Sequence, residues 1–159
     1  MSAATADAAP IVVREARPED LPGLVACIAD DTVGGHGDVW TAATRPAYEA
    51  AFAEIAASGR DVLLVAEAAG EIAGTAQVTF SRIIADGGAL AAQVRTVFVR
   101  RAWRGRGVGA AVMAEAERIA RERGAYALAL VSNKKRADAH RFYERLGYAR
   151  SHEGFRKRL

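Results

Sequence analysis

With 159 residues, the chain suits one domain that buries about two-thirds of its unfolded surface. Its 51% apolar and 26% charged residues, with a net charge of +3, exclude a disordered segment or a fibre. No apolar run is long enough to span a membrane, and one cysteine, Cys27, cannot form an internal disulfide, so a cytoplasmic protein is expected.

Residues 1–10 are Ala/Ser/Thr-rich without periodicity and read as a loose N-terminal tail, leaving 11–159 as the domain. Ile11 to Glu15 reads as a strand. Pro18-Glu19-Asp20 then opens a helix running to about Asp30, because a missing N–H and two acids suit a helix start. Cys27 falls on its apolar face, as a structural thiol would. Asp31 to Asp38 holds three glycines and no period, so it is a loop, and a second helix spans about 46–57.

Residues 61–67 and 71–80 are apolar strands joined by Ala68-Ala69-Gly70, a hairpin signal. A turn at Asp86-Gly87-Gly88 returns the chain into a strand at 91–99. Four residues on, Arg104-Gly105-Arg106-Gly107-Val108-Gly109 opens an amphipathic helix, with Val108, Ala111, Val112, Ala116, Ile119 and Ala120 on one face and Gly124 at its end. Residues 125–131 are a nearly all-apolar run, as expected of a strand parallel to its predecessor across a helical crossover. A last helix covers about 136–146, and Tyr148 to Leu159 is expected to return as one or two strands.

Strand, glycine-rich turn and helix together make an anion site. The first N–H groups of a helix lack partners, the peptide dipoles concentrate positive charge there, and glycines let the backbone approach a phosphate. The lysine and hydroxyl of a nucleoside triphosphate loop are absent, and the strand ending in Ser132-Asn133 lacks the acidic residue of a dinucleotide site.

The stretch from Val97 to Gly109 resembles the cofactor motif of the GNAT superfamily of acyl-CoA-dependent N-acyltransferases, Gln/Arg-x-x-Gly-x-Gly/Ala, which Arg104, Gly107 and Gly109 fill. Downstream, Asn133, then Ala139-His140-Arg141-Phe142-Tyr143, then Gly147-Tyr148, resembles the second motif at the family's spacing. This resemblance, over roughly Ile11 to the C-terminus, implies an α/β (α+β) fold. Its single mixed, mostly antiparallel sheet of six or seven strands is flanked by about four helices and splayed between the fourth and fifth strands.

It further implies acetyl-CoA as cosubstrate and no metal. The pyrophosphate is expected on Arg104, Gly105, Arg106, Gly107, Val108, Gly109 and Ala110, with backbone amides near Val97 and Val99 on the thioester and pantetheine arm. Asn133 and Arg136 are expected beside that arm. Tyr143 matches the family's general acid, and a phenol of pKa about 10 stands above a thiol near 8.5. Read alone, Val97, Val99 and Phe142 are core residues, Tyr143 is an edge tyrosine, Asn133 a turn residue, and His140 structural or solvent-facing. The implied reaction is acetyl transfer to a primary amine of a small molecule by direct attack in a ternary complex. Relatives are often homodimers.

The general base departs from the family pattern, since Arg95 stands where many relatives place a glutamate. Glu71, Asp30 or Asp31 through water, His36 directly, or no base at all remain open. Asp30, Asp31 and Asp38 favour a cationic acceptor. Arg82 and Arg95 favour an amino acid or aminophosphonate, and the segment from Lys135 onward is similar to that of aminoalkylphosphonate acetyltransferases. A protein that binds acyl-CoA without transferring it, or one that acetylates a protein or peptide, are the alternative functions. A nucleic-acid module built on Arg100, Arg101, Trp103, Arg104 and Arg106 ranks below these, because a polyanionic cofactor explains the same charges and 19 acids offset the remainder. No membrane partner is expected.

Overall fold

A computed structural model of the chain describes residues 9–32 and 37–159. The expected tail, except for its last two residues, and His36 therefore lie outside the described residues. Five strands form one open sheet in chain order: β1 (Val12–Glu15), β2 (Asp61–Ala68), β3 (Glu71–Arg82), β4 (Leu90–Val99) and β5 (Ala127–Leu130). β1 to β4 pair antiparallel, and β4 and β5 pair parallel. The helices are α1 (Leu21–Ala29), α2 (Arg45–Ala57), α3 (Ala85–Gly88), α4 (Val108–Glu122) and α5 (Ala137–Arg145).

Among the described residues, five strands and five helices replace the six or seven and about four expected. The extra helix is the short α3, where Asp86 and Gly87 adopt left-handed backbone angles inside the expected turn. The missing strands are those expected after Tyr148. Residues 149–159 form no strand, and their large apolar members Phe155 and Leu159 are fully exposed, so no alternating face exists to bury. The first expected helix also splits. Pro18–Asp20 forms a 3-10 turn closed by the Arg17 N–H donating to Asp20 Oδ2 at 2.7 Å, and α1 begins only at Leu21.

Two apolar layers flank the sheet. On one side α4 buries Val108, Val112, Met113, Ala116, Ile119 and Ala120 against Leu64, Ala76, Val78 and Val94. Met113 joins the expected face, and Ala111 is only partly buried. On the other side α1 buries Leu24 and Cys27 against Val65 and Ile72, while no residue of α2 is fully buried.

β4 does most to shape the site. It pairs with β5 only from Ala91 to Val94, and its remaining residues continue past the end of β5. On its other edge the register with β3 shifts between Thr75 and Gln77, opposite Thr96, whose φ of 50° lies in the left-handed region. A bulge of this kind bends the strand and re-aims the side chains beyond it. Val94, Val97 and Val99 therefore contact the α4 layer, and Phe98 contacts the α1 layer.

Candidate active site

The site is built where β4 ends. After Val99 the chain makes a 3-10 turn at Arg101–Trp103, then a loop through Gly105 and Gly107, and enters α4 at Val108. Gly105 and Gly107 have φ of 72° and 86°, the left-handed region in which a Cβ is strained, so the loop's shape requires glycine at both. The Ala111 N–H donates to Gly107 O, and no side chain caps the helix start. The N–H groups of Val108, Gly109 and Ala110 thus have no carbonyl ahead of them within the helix, and they carry the positive end of its dipole. The Val108 side chain is core, 1% exposed, which leaves only its backbone for a ligand.

Gly109 is glycine for a different reason. A Cβ there would stand 3.1 Å from Phe142 Cζ and 3.5 Å from Val99 Cγ2. Its absence lets α5 close on the first turn of α4 and the last residue of β4. Phe142 is the core residue expected, and it carries Tyr143 into the same region. The Tyr143 ring meets Phe142 and Tyr148 edge-on, with centroids 5.1 and 6.1 Å away. Burial raises the Tyr143 pKa above the ordinary phenol value, and the nearby Arg136 guanidinium opposes part of that shift. Tyr143 is therefore a protonated phenol at neutral pH. Tyr148 donates to Glu117 Oε1 at 3.1 Å, and burial and that carboxylate both raise its pKa.

The loop's arginines are held by acids distant in sequence. Arg104 donates from Nε to Val99 O at 3.2 Å, and its guanidinium lies 3.8 Å from Asp31. Arg136, at the N-cap of α5, forms an ion pair with the same carboxylate, which is 4% exposed. Asp31 thereby ties the end of α1 to both the loop and α5. Glu71 accepts from Arg100 Nη1 at 2.7 Å and from Trp103 Nε1 at 2.5 Å, while Asp30 accepts from the Arg101 N–H at 2.5 Å. Arg106 stacks over Trp103, 5.4 Å from its centroid. Most of the basic run considered for nucleic acid is thus engaged in shaping one turn.

These contacts give each of three candidate bases a structural partner. Glu71, Asp30 and Asp31 each hold an arginine, a backbone N–H or an indole, which makes them clamps on the loop. Sequence gave no local signal for this, since the partners lie 29 to 105 residues apart. Arg95 is exposed and donates to Gln93 Oε1 at 2.8 Å. Asn133 shows its turn role: its Oδ1 accepts from the Lys135 N–H at 3.0 Å, and its main-chain oxygen lies 2.9 Å from the His140 ring. Burial pushes the Cys27 thiol up to about 11, which leaves it un-ionised. Among the described residues no group of three or more His, Cys, Asp or Glu could hold a metal ion, and no helix is long and apolar enough to cross a membrane.

Comparison with known proteins places this arrangement. Over 67 residues, 42% of the chain, the sequence is 43% identical to an aminoalkylphosphonate N-acetyltransferase of Salmonella typhimurium, and the match spans 44% of that protein's length. A crystal structure of a transcriptional regulator from Bacillus halodurans C-125 is 35% identical, with a TM-score of 0.89 over 94% of this chain and 100% of that one. An aminoglycoside N-acetyltransferase solved in complex with CoA has the same fold at 16% identity, with a TM-score of 0.79 and 98% of each chain covered. The model of the acetyltransferase (GNAT) family matches residues 27–148, from the last turn of α1 to Tyr148, and the chain belongs to that family.

Proposed function

We propose that the protein is an N-acetyltransferase that moves an acetyl group from acetyl-CoA to a primary amine of a small molecule, by direct attack in a ternary complex. One observation carries the reading: a glycine turn at a helix N-terminus adjoins a strand that has run past its parallel neighbour, with a half-buried phenol packed alongside. The loop suits a phosphate, since three first-turn N–H groups, Arg104 and Arg106 surround a backbone without Cβ atoms at Gly105 and Gly107. Val97 and Val99 pack partly buried side chains against the α4 layer, and β4 has no strand paired on its β5 side there, which offers main-chain groups to an extended amide-rich arm. Arg136 and Asn133 flank that arm from the entry to α5.

Bound acetyl-CoA supplies the acetyl group as a thioester and leaves as a thiol. The β4 main chain orients the carbonyl for attack, a gain that comes from positioning rather than from covalent chemistry. The amine nitrogen bonds to the carbonyl carbon, the carbon–sulfur bond breaks, and Tyr143 Oη gives its proton to the departing sulfur. Only the neutral fraction of the amine attacks; once bonded to carbon its nitrogen gives a proton to water, and the Tyr143 phenolate regains one from solvent, which restores the site. Activity then rises with pH toward the acceptor's own pKa. The Gly-loop arginines act on the phosphates and take no part in proton transfer.

Calorimetric titration with acetyl-CoA and with free coenzyme A, followed in the same sample by thiol release against pooled amines, tests this. Binding with amine-dependent release is the expected result. Binding without release would leave an acyl-CoA-binding protein, and no binding would overturn the assignment of the 104–109 loop.

A further inference from the structure

The side of the sheet covered by α1 and α2 contains a cavity of about 130 Å³. Leu24 and Ile28 of α1, Phe52 and Ile55 of α2 and Leu63 of β2 form its walls, and its floor includes Thr75, Gln77 and Thr96 of β3 and β4. Thr96 is the bulged residue of β4, one position before Val97, so the cavity opens beside the point where the strand turns toward its free edge. No charged side chain lines it among the described residues.

Three of the polar groups on its walls are already engaged, and the Thr96 hydroxyl stands at the end where the amine is placed. Thr75 Oγ1 donates to Leu64 O at 2.7 Å, Gln77 Nε2 donates to Asp61 Oδ1 at 3.1 Å, and Tyr48 Oη donates to Asp38 Oδ1 at 2.7 Å. A hydroxyl-rich or anionic group placed here would lose its water and find few partners, a cost that falls heavily on a charge. A hydrocarbon group would lose nothing and remove apolar surface from water. The size agrees as well, because a dry cavity of about 150 Å³ accepts benzene.

We propose that this cavity receives the non-reacting end of the acceptor, which is therefore a primary amine carrying a compact hydrocarbon group, a phenyl or a branched alkyl, and not a phosphonate or a sugar. The inference rests on the transferase reading and names the acceptor class for it. The amine stands at the Thr96 end, beside β4, and the hydrocarbon body lies between α1, α2 and the sheet. Selectivity among amines is set by α2, whose contact with the sheet leaves the space.

The test pairs binding with turnover. 2-Phenylethylamine, 3-methylbutylamine, ethanolamine and 2-aminoethylphosphonate are titrated into the coenzyme A-loaded protein by calorimetry, and each is assayed for acetyl-CoA-dependent thiol release. The two hydrocarbon amines are expected to bind, and to exceed the two polar ones at least tenfold in kcat/KM. Ala51→Phe, at an exposed α2 position that lines the cavity, fills the space. It should raise KM for the hydrocarbon amines at least tenfold while the melting temperature and acetyl-CoA binding stay unchanged, and Ala51→Leu serves if the larger side chain unfolds the protein. Preference for the phosphonate or for ethanolamine, or an Ala51→Phe variant with unaltered KM, overturns the acceptor assignment and leaves the transferase standing. Binding of the hydrocarbon amines that Ala51→Phe abolishes, without any thiol release, upholds the cavity and removes the transferase. Neither binding nor release by any of the four overturns both.

Discussion

Two helices on opposite faces of the sheet are packed to different standards. Against one face α4 lays six buried side chains, with Val112, Met113 and Ala116 wholly inaccessible. Against the other, α2 offers Tyr48, Phe52 and Ile55 at helical spacing, buries none of them fully and leaves a cavity beneath. α4 carries a sharp apolar stripe and α2 a much weaker one, so periodicity already separates them in part. The difference lies in what each must hold. α4 fixes the glycine turn at its N-terminus to within the reach of hydrogen bonds, which demands a rigid seat. α2 forms a wall over a space, and a wall that must admit another molecule cannot also fill it.

Truncation on each face measures that contrast most directly. Met113→Ala deletes a side chain with no accessible surface and should cost about 2–5 kcal/mol in denaturant unfolding. Phe52→Ala deletes a larger side chain from a half-buried position beside an existing cavity and should cost about 1 kcal/mol, below the usual range for a buried phenylalanine. Equal losses would show that α2 is packed as tightly in solution as α4 and would remove the cavity as a feature of the protein.

The glycine turn gives the next effect. Gly107→Glu forces a side chain onto a φ of 86° and sets a carboxylate against the helix N-terminus where a phosphate is proposed. Acetyl-CoA binding should fall at least a hundredfold, about 2.7 kcal/mol, with the Ala51 side of the molecule unaffected. Retained affinity by calorimetry would mean the phosphates bind elsewhere.

How much of this was legible in the sequence follows from the range of each interaction. The strands β2 to β4, the α4 start and the order of all the major elements are local patterns, and they lie within a few residues of where periodicity and glycine placed them. The terminal strands rest on the strand count that the resemblance implies, not on any alternation in 149–159, and these residues form none. The Thr96 bulge has no glycine to announce it. The roles of Glu71, Asp30 and Asp31 were invisible because each is decided by an arginine or tryptophan brought near only by the fold. Acidic residues near a basic motif read equally well as bases or as clamps. Only the distances of 2.5 to 2.7 Å at Asp30 and Glu71 distinguish the two. The α2 cavity is likewise a property of how far a helix stands off a sheet, which no spacing of residues encodes.

Tyr143 packs on the α4 side of the sheet and gives the smallest of these effects in free energy but the sharpest in mechanism. Tyr143→Phe keeps the ring that packs on Phe142 and Tyr148, so folding and acetyl-CoA binding should change little. Turnover should fall tenfold or more, at least about 1.4 kcal/mol, as for other general acids. The pH profile separates a proton donor from a packing residue. The proposed donor works when protonated, and burial raises its pKa, so wild-type activity should decline only at a pH above the ordinary tyrosine range. Arg136 opposes that shift, and Arg136→Gln should move the decline to still higher pH. In Tyr143→Phe the decline should vanish while the rise at lower pH, set by the acceptor amine, remains. An unchanged turnover number would take Tyr143 out of the mechanism. A reduced one with the alkaline decline intact would make it a positioning residue whose hydroxyl serves geometry and not proton transfer.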